Sequence, residues 1–200
     1  MQRVAIIVPF ANSAVEYEFQ RLVSNKNIIY QIFRIDYKTH QSDNDDQFYQ
    51  ELEHNLDRLL EKILVLNFDK IILMCSSLGA KTDNKKIISA NKIASEYILK
   101  NKLNQKLILI SPYSKNTTNQ TINDFKGFGV IFNQVIIKSL FGALNYFNFG
   151  EELTNFCLLN NIKNKEIFIS CTNIPIVNCI NEINVLSTNY IVASFLNSLQ

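Results

Sequence analysis

The segment E-I-F-I-S-C-T-N-I-P, residues 166–175, ends a short apolar run with a cysteine, a threonine and an asparagine. The segment D-K-I-I-L-M-C-S-S-L-G, residues 69–79, has the same design, an apolar run followed by a cysteine and two serines. Short runs that are apolar on both faces are typical of strands buried in a parallel sheet. The two segments therefore predict two buried strands that end at Cys75 and at Cys171.

Apolar strands alternate with amphipathic helices along the whole chain. In the first half, the pattern predicts strands at 4–9, 28–37, 71–74 and 87–90. It predicts helices at 13–24 and 48–66, and a third helix that follows the strand at 87–90 and ends at about 99. In the second half, it predicts strands at 106–111, 129–132, 166–170 and 190–193, and helices at 117–125, 153–160 and 174–185. This alternation indicates right-handed crossovers and parallel sheets covered by helices, which is an α/β fold.

The second half of the chain repeats the first. V-A-I-I-V-P-F-A-N-S at 4–13 matches L-I-L-I-S-P-Y-S-K-N at 107–116, and the two cysteine segments match each other. A third pair matches K-I-I-S-A-N-K-I-A at 86–94 with Y-I-V-A-S-F-L-N-S at 190–198. We therefore predict two similar flavodoxin-like lobes with parallel sheets, residues 1–100 and 101–200. A pseudo-twofold axis would relate them, with the active-site cleft between them and the last helix packed on the first lobe.

The position of the two cysteines predicts chemistry at carbon. Ligands of open parallel sheets bind outside the carboxyl ends of the strands, which is where both cysteines lie. The residues that follow them offer hydroxyl, amide and backbone N–H groups for a carboxylate or phosphate: Ser76, Ser77, Thr172 and Asn173. If the lobes face each other, one thiolate can attack or remove a proton while the other thiol delivers a proton from the opposite side.

A structural role for these cysteines is the competing interpretation. Cysteine is among the most buried residue types, and a single cysteine at a strand end is usually part of the core. Two cysteines at matched positions of a repeat, each followed by a hydroxyl residue, favour a functional role for Cys75 and Cys171. Cys157 and Cys179 lack this setting and are predicted to be core residues.

Charge and composition exclude several classes of protein. The 200 residues contain 20 basic and 18 acidic side chains, and this balance argues against a nucleic-acid surface. The longest apolar tract, 127–149, is interrupted by polar side chains, so no membrane span is predicted. We expect a cytoplasmic protein with reduced thiols and no metal, because neither His40 nor His54 has metal-ligand spacing to other residues.

Four segments resemble one known family. I-V-P-F-A-N-S-A-V-E-Y-E-F at 7–19 resembles the first strand and helix of the maleate cis-trans isomerases. C-S-S at 75–77, I-S-P-Y at 110–113 and S-C-T-N at 170–173 resemble later motifs of that family, in the same order. The chain therefore resembles the aspartate/glutamate racemase superfamily, and most of all its maleate isomerase and arylmalonate decarboxylase branch.

The resemblance implies cofactor-independent chemistry on a small carboxylate in a homodimer. Cys75 matches the nucleophile of the family and Cys171 matches its acid. Asn12 and Tyr113 match residues that contact the substrate. Further matches to the substrate pocket are Pro9, Phe10 and an asparagine that corresponds to either Asn145 or Asn148. The arylmalonate decarboxylases keep only the second cysteine, so Cys75 counts against decarboxylation.

Three functions stay open on the sequence. Maleate-like cis-trans isomerisation is the first, because the motifs are closest to those of the isomerases. Racemisation of an amino acid such as aspartate or glutamate is the second. A non-catalytic member that binds a metabolite or serves in an assembly is the third. It is motivated by Phe10, which replaces a small hydroxyl residue of the family, and by a shorter stretch between 130 and 166.

Overall fold

The computed structural model describes residues 1–39, 45–78, 84–162, 166–176 and 184–200. The elements of the first lobe are β1 (Gln2–Pro9), α1 (Ala14–Leu22), β2 (Ile28–Ile35), α2 (Asp45–Leu64), β3 (Lys70–Leu73), β4 (Ile87–Ser89) and α3 (Ala90–Lys100). The elements of the second lobe are β5 (Ile108–Ser111), α4 (Lys115–Gly127), β6 (Gln134–Ile137), α5 (Ala143–Leu159), β7 (Ile167–Ile169), β8 (Val185–Ser187) and α6 (Thr188–Ser198).

Each lobe is built on a four-stranded parallel sheet. The strand order is β2-β1-β3-β4 in the first sheet and β6-β5-β7-β8 in the second, and every pairing is parallel. This is the same order in both lobes, and it is the flavodoxin-like order in which the chain doubles back beside its first strand. The predicted fold class, two flavodoxin-like lobes with parallel sheets, is confirmed.

Alternate residues of the central strands face two different cores. In β1, Val4, Ile6 and Val8 enter a central core, whereas Ala5 and Ile7 face an outer core formed with α2. The second sheet behaves likewise, since residues from alternate positions of its strands enter the central core and an outer core formed with α5. Because side chains of a strand point alternately to the two faces, both sheets are buried on both sides.

The central core joins the lobes into one hydrophobic body. It contains strand residues of both sheets together with buried residues of α1, α3, α4 and α6. The last helix, α6, follows the second sheet in the chain and packs against α1 and α3 of the first lobe. The order of layers is therefore α2, first sheet, four central helices, second sheet and α5.

The strand predicted at 129–132 is wrong, and β6 lies a few residues later. After α4 the chain turns through Gly129, which has a φ of +86°, and the Val130 N–H donates to the carbonyl oxygen of Phe125. Phe132 then stacks on Phe168 with ring centroids 5.9 Å apart. These apolar side chains pack on the core, but their backbone does not pair in a sheet. The prediction of a strand rested on their hydrophobicity alone, which does not distinguish the two arrangements.

The prediction for the last thirty residues is also wrong in part. The predicted strand at 190–193 lies inside α6, and the end of the predicted helix at 174–185 overlaps β8. Residues 177–183, which include Cys179, lie outside the described residues. The β-branched Ile191 and Val192 suggested a strand, but the Ser187 hydroxyl accepts from the Tyr190 N–H and begins a helix there.

The corrected elements give a better third match between the lobes. I-I-S-A-N at 87–91 corresponds to V-L-S-T-N at 185–189, because each segment is a short strand followed by a serine-capped helix. Ser89 accepts from the Lys92 N–H as Ser187 accepts from the Tyr190 N–H. The asparagine two residues after each serine is fully or almost fully buried, so this match also places Asn91 and Asn189 at equivalent sites.

Gly150 generates a stability prediction, because a Cβ at this position would lie 2.1 Å from the carbonyl oxygen of Pro175. We expect Gly150→Ala to lower the free energy of unfolding by about 1–3 kcal/mol, the usual cost of overpacking. Chemical denaturation followed by circular dichroism measures it. Gly127→Ala is the matched control, since a Cβ there meets nothing within 4 Å. A Gly150→Ala protein as stable as the Gly127→Ala protein would contradict this close packing.

Candidate active site

A cavity of about 520 Å³ lies where the carboxyl ends of β1, β3, β5 and β7 face each other. Both lobes contribute to it, and both Cys75 and Cys171 line it. Seven further residues of the predicted site also line it: Pro9, Phe10, Asn12, Ser77, Tyr113, Thr172 and Asn173. The structure therefore brings most of the predicted site to one place.

Cys75 follows β3 in a tight turn of the first lobe. The Leu78 N–H donates to the Cys75 carbonyl oxygen over 3.2 Å, and the Cys75 Sγ lies 3.4 Å from the Ser77 Oγ. Burial raises the pKa of the Cys75 thiol, and hydrogen bonds from the Ser77 hydroxyl and from the Leu78 and Ser77 N–H groups oppose this rise. The turn therefore stabilises a thiolate that the apolar surroundings disfavour.

Cys171 has an equivalent setting after β7 in the second lobe. Burial raises the pKa of its thiol to about 11, against hydrogen bonds from the Tyr113 hydroxyl and from the Asn173 and Ile174 N–H groups. The negative charge of an ionised Cys75 raises this pKa further. Charge on one sulfur therefore acts on the other, as expected for two thiols in one cavity.

The Tyr113 hydroxyl lies between the two cysteine turns. It is 2.7 Å from the Ser76 Oγ, and the side chain is almost fully buried. Burial raises the pKa of Tyr113 well above its usual value, and ionised Cys171 and Cys75 raise it further, in that order. The phenol therefore remains protonated and is a hydrogen-bond donor at neutral pH.

Hydrogen bonds cross between the lobes in a reciprocal way. The Asn12 Nδ2 of the first lobe donates to the Thr172 Oγ1 beside Cys171, over 2.9 Å. The Tyr113 hydroxyl of the second lobe bonds to the Ser76 hydroxyl beside Cys75. The Thr172 hydroxyl also donates to the carbonyl oxygen of Met74, just before Cys75, over 2.9 Å. Each cysteine turn is therefore held by the opposite lobe.

Two buried asparagines support these turns from behind. The Asn91 Nδ2 donates to the Ser76 carbonyl oxygen and the Asn189 Nδ2 donates to the Thr172 carbonyl oxygen, each over 2.9 Å. Sequence reasoning missed both residues, although the repeated S-A-N and S-T-N segments carried the signal. Ser76 itself is fully buried behind the cavity, so its predicted contact with substrate is replaced by the bond to Tyr113.

The wall of the cavity contains residues that sequence reasoning did not single out. Tyr37 and Lys38 follow β2, and they lie near the cysteine turns because β2 is parallel to β1 and ends at the same sheet edge. Lys38 is the only basic side chain among the described residues that line the cavity, and acidic side chains are absent from that set. The rest of this group is aliphatic, aromatic or glycine: Ala11, Phe48, Tyr49, Leu52, Phe141 and Gly142.

Asn145 and Asn148 are not at the cavity. Both side chains are exposed on α5, and the Asn145 Nδ2 donates to the Phe141 carbonyl oxygen at the start of that helix. The helix turns Tyr146 toward the cavity and buries Phe149 behind it. With 3.6 residues per turn, positions 145 and 148 fall on the outer face, so the predicted contact of either residue with substrate is corrected here.

Asn173 has an unused hydrogen-bonding group beside Cys171. Its side chain lines the cavity, and its Oδ1 is buried without a hydrogen-bond partner among the described residues. Buried polar atoms are nearly always paired, so this unpaired amide oxygen is available to a hydrogen-bond donor of a ligand.

Two further kinds of site were sought among the described residues. Across these ranges, no group of three or more His, Cys, Asp and Glu side chains could hold a metal. No helix within those ranges is both long enough and apolar enough to cross a membrane.

Solved structures share this fold at low sequence identity. The maleate isomerase Iso from Pseudomonas putida S16 superposes with a TM-score of 0.73 at 15% identity, covering 98% of this chain and 92% of that one. A mutant of the Nocardia farcinica maleate cis-trans isomerase, with a covalently bound succinylcysteine intermediate, gives a TM-score of 0.70 at 13% identity, covering 98% and 92%. An aspartate racemase homologue from Pyrococcus horikoshii OT3 gives 0.65 at 13% identity, covering 98% and 97%.

Sequence comparison alone adds nothing to these structures. No protein-family model matches the chain, and no curated protein matches it. The fold is therefore that of the maleate isomerases and of an aspartate racemase homologue, as the resemblance of the motifs predicted.

The raised pKa of Cys171 generates a prediction on its reactivity. A thiol with a pKa of about 11 gains thiolate with every unit of pH up to that value, so its alkylation should accelerate about tenfold per pH unit from pH 7 to 10. Iodoacetamide labelling, read at the Cys171 peptide by mass spectrometry, measures the rate. A free cysteine is the matched control, since it levels off soon after its pKa of about 8.5. A Cys171 rate that levels off below pH 9 would contradict the assignment.

Proposed function

We propose that this protein is a cofactor-independent isomerase that acts on a small carboxylate through Cys75 and Cys171. Cis-trans isomerisation of a maleate-like dicarboxylate is the reaction that we favour. The observation that carries the proposal is the shared cavity, which is lined by one thiol from each lobe and by Tyr113. A ligand in this cavity would have a sulfur of each lobe nearby.

The settings of the two thiols are alike in kind, since each has a hydroxyl and two backbone N–H groups, and the family resemblance divides their roles. The Cys75 Sγ has a hydroxyl neighbour, Ser77, and two backbone N–H groups that favour the thiolate. Cys171 has a pKa of about 11 and is therefore protonated at neutral pH. We assign the nucleophile to Cys75 and the proton donor to Cys171.

The reaction balances with these two groups alone. Cys75, after losing its proton to solvent, adds through Sγ to one alkene carbon while the Cys171 thiol gives its proton to the other. The carbon–carbon bond is then single and rotates. The Cys171 thiolate takes a proton back from that carbon, the carbon–sulfur bond breaks, and the trans alkene and the Cys75 thiolate are released.

The polar groups of the cavity wall suit the carboxylates of such a substrate. The protonated Tyr113 hydroxyl lies beside the cysteine turns, and Lys38 supplies one positive charge. Hydrogen bonds to a carboxylate are strengthened in a cavity with apolar walls, because little water competes for them. The covalently bound succinylcysteine intermediate of the Nocardia farcinica isomerase mutant supports the addition step by analogy of fold.

Turnover of maleate tests the proposal. We expect the purified protein to convert maleate into fumarate, followed by proton NMR, and we expect Cys75→Ser and Cys171→Ser each to lower kcat/KM by about 1,000-fold or more. Cys157→Ala is the matched control, because Cys157 is a buried thiol of the outer core away from the cavity. It should retain activity at a temperature where it is folded.

Two other results would redirect the proposal. Deuterium at the α-carbon of aspartate or glutamate in deuterated water, without fumarate from maleate, would assign racemisation to the same pair of thiols. If maleate, aspartate and glutamate are all unchanged, and a dicarboxylate still protects Cys75 from iodoacetamide, the protein has a binding function. This result would exclude the proposed reaction.

A further inference from the structure

Glu18 is a carboxylate in the middle of the molecule with a defined set of contacts. It lies in the second turn of α1, and its side chain is 0% exposed. Its Oε1 accepts from the Ile176 N–H and its Oε2 accepts from the Asn189 Nδ2, each over 2.6 Å. Acidic residues are almost never fully buried unless such hydrogen bonds hold them, so these contacts explain its position.

Both contacts lead to the turn that carries Cys171. Ile176 lies five residues after Cys171, and the Asn189 Nδ2 that bonds to Glu18 also donates to the Thr172 carbonyl oxygen. The carboxylate therefore holds Ile176 directly and Thr172 through the Asn189 amide. Between them lie Asn173 and Ile174, whose N–H groups face the Cys171 sulfur.

The same turn is confined from the opposite side. Pro175 packs against α5 at Gly150, so closely that a Cβ on Gly150 would lie 2.1 Å from the Pro175 carbonyl oxygen. The turn at 172–176 is therefore held between a carboxylate of the first lobe and a glycine of the second. A change at Glu18 removes one side of this support and leaves the other intact.

The equivalent position of the second lobe has no charge. Glu18 lies nine residues after Pro9, and Thr121 lies nine residues after Pro112. The Thr121 Oγ1 is 3.5 Å from the Ser76 carbonyl oxygen, which also accepts from Asn91. The turn of Cys75 is therefore supported by neutral groups, whereas the turn of Cys171 is supported by a carboxylate.

We propose that Glu18 is the positioning residue for Cys171, because its charge-assisted hydrogen bonds fix the turn at 172–176 across the lobe boundary. Hydrogen bonds to a charged acceptor are shorter and about twice as strong as those between neutral groups. The turn then keeps the Asn173 and Ile174 N–H groups on the sulfur and keeps the thiol out of solvent. The catalytic consequence rests on the proposed function, whereas the effect on the thiol does not.

Glu18→Gln tests this in the full-length protein. An amide keeps the shape of the side chain but presents one acceptor and one NH₂ group, so either the Ile176 N–H or the Asn189 amide loses its acceptor. We expect the alkylation rate of Cys171 at pH 8 to rise at least tenfold, with the rate at Cys75 within twofold of wild type. Iodoacetamide labelling, read separately at each cysteine peptide, measures both rates in one sample.

Thr121→Val is the matched control at the equivalent position of the other lobe. It should leave the Cys171 rate within twofold of wild type. Equal rises at Cys75 and Cys171 in Glu18→Gln would show general loosening and would overturn the proposal, and so would an unchanged Cys171 rate. The pH profile of Cys171 labelling is the second readout. Burial is the largest cause of the raised pKa, so exposure of the thiol should outweigh the loss of the two N–H bonds and lower the midpoint toward that of a free thiol only in the Glu18 variants.

Glu18→Asp keeps the test decisive if the glutamine variant does not fold. This change retains the charge and withdraws it from Ile176 by one methylene, so we expect a smaller selective rise at Cys171. An aspartate variant that is folded and has wild-type labelling would overturn the proposal. If maleate is a substrate, the same variants should lower kcat more than they raise KM. Absence of turnover contradicts the proposed function and leaves the labelling result to decide on Glu18.

Discussion

Each cysteine turn is held by side chains of the opposite lobe, and the geometry of the cavity depends on these crossed hydrogen bonds. The Thr172 hydroxyl is bonded to Asn12 and to the Met74 carbonyl, and Ser76 is bonded to Tyr113. All these groups are buried, and each hydrogen bond contributes about 0.5–1.5 kcal/mol net to the association of the lobes, because separation would replace it with bonds to water. The shared central core adds apolar burial to the same boundary. A cavity bounded in this way keeps two sulfurs of different lobes in one arrangement.

The repeat provides the frame, and its departures from symmetry make the two thiols different. Phe10 and Tyr113 follow equivalent prolines, yet Phe10 is 59% exposed at the cavity wall whereas Tyr113 is buried between the cysteine turns. Tyr113 has a hydroxyl that donates a hydrogen bond to the Cys171 sulfur, whereas Phe10 has none. The aromatic hydrogen-bond donor therefore comes from the second lobe alone. Lys38 places a positive charge on the first-lobe wall. In the reaction proposed here, the two thiols act from opposite sides, one as the nucleophile and the other as the acid.

The sequence alone predicted the parts of this arrangement that follow from hydrophobic periodicity and from the order of strands and helices. Two alternating patterns of strand and helix, each with a cysteine at a strand end, placed Cys75 and Cys171 at carboxyl edges, and the crossover rule made both sheets parallel. The same rule could have placed Tyr37 and Lys38 there, because they follow a strand parallel to β1. It could not have found Glu18, whose burial depends on a loop of the other lobe that is 158 residues away. It also misassigned Val130, Ile191 and Val192, because β-branched side chains suit both a strand and the packed face of a helix or turn.

The burial that confines the thiols also opposes their ionisation, and this conflict bears on the division of roles. An ionised sulfur in an apolar cavity is disfavoured, and one ionised sulfur disfavours the other, so the pair is expected to hold at least one proton under ordinary conditions. That is the state in which one sulfur attacks and the other protonates. The N–H groups that end each turn are fixed dipoles in a space with little water, and they can stabilise negative charge without reorganising. Rigid turns are therefore needed for reactivity as well as for shape, and rigidity on the Cys171 side depends on the carboxylate of Glu18.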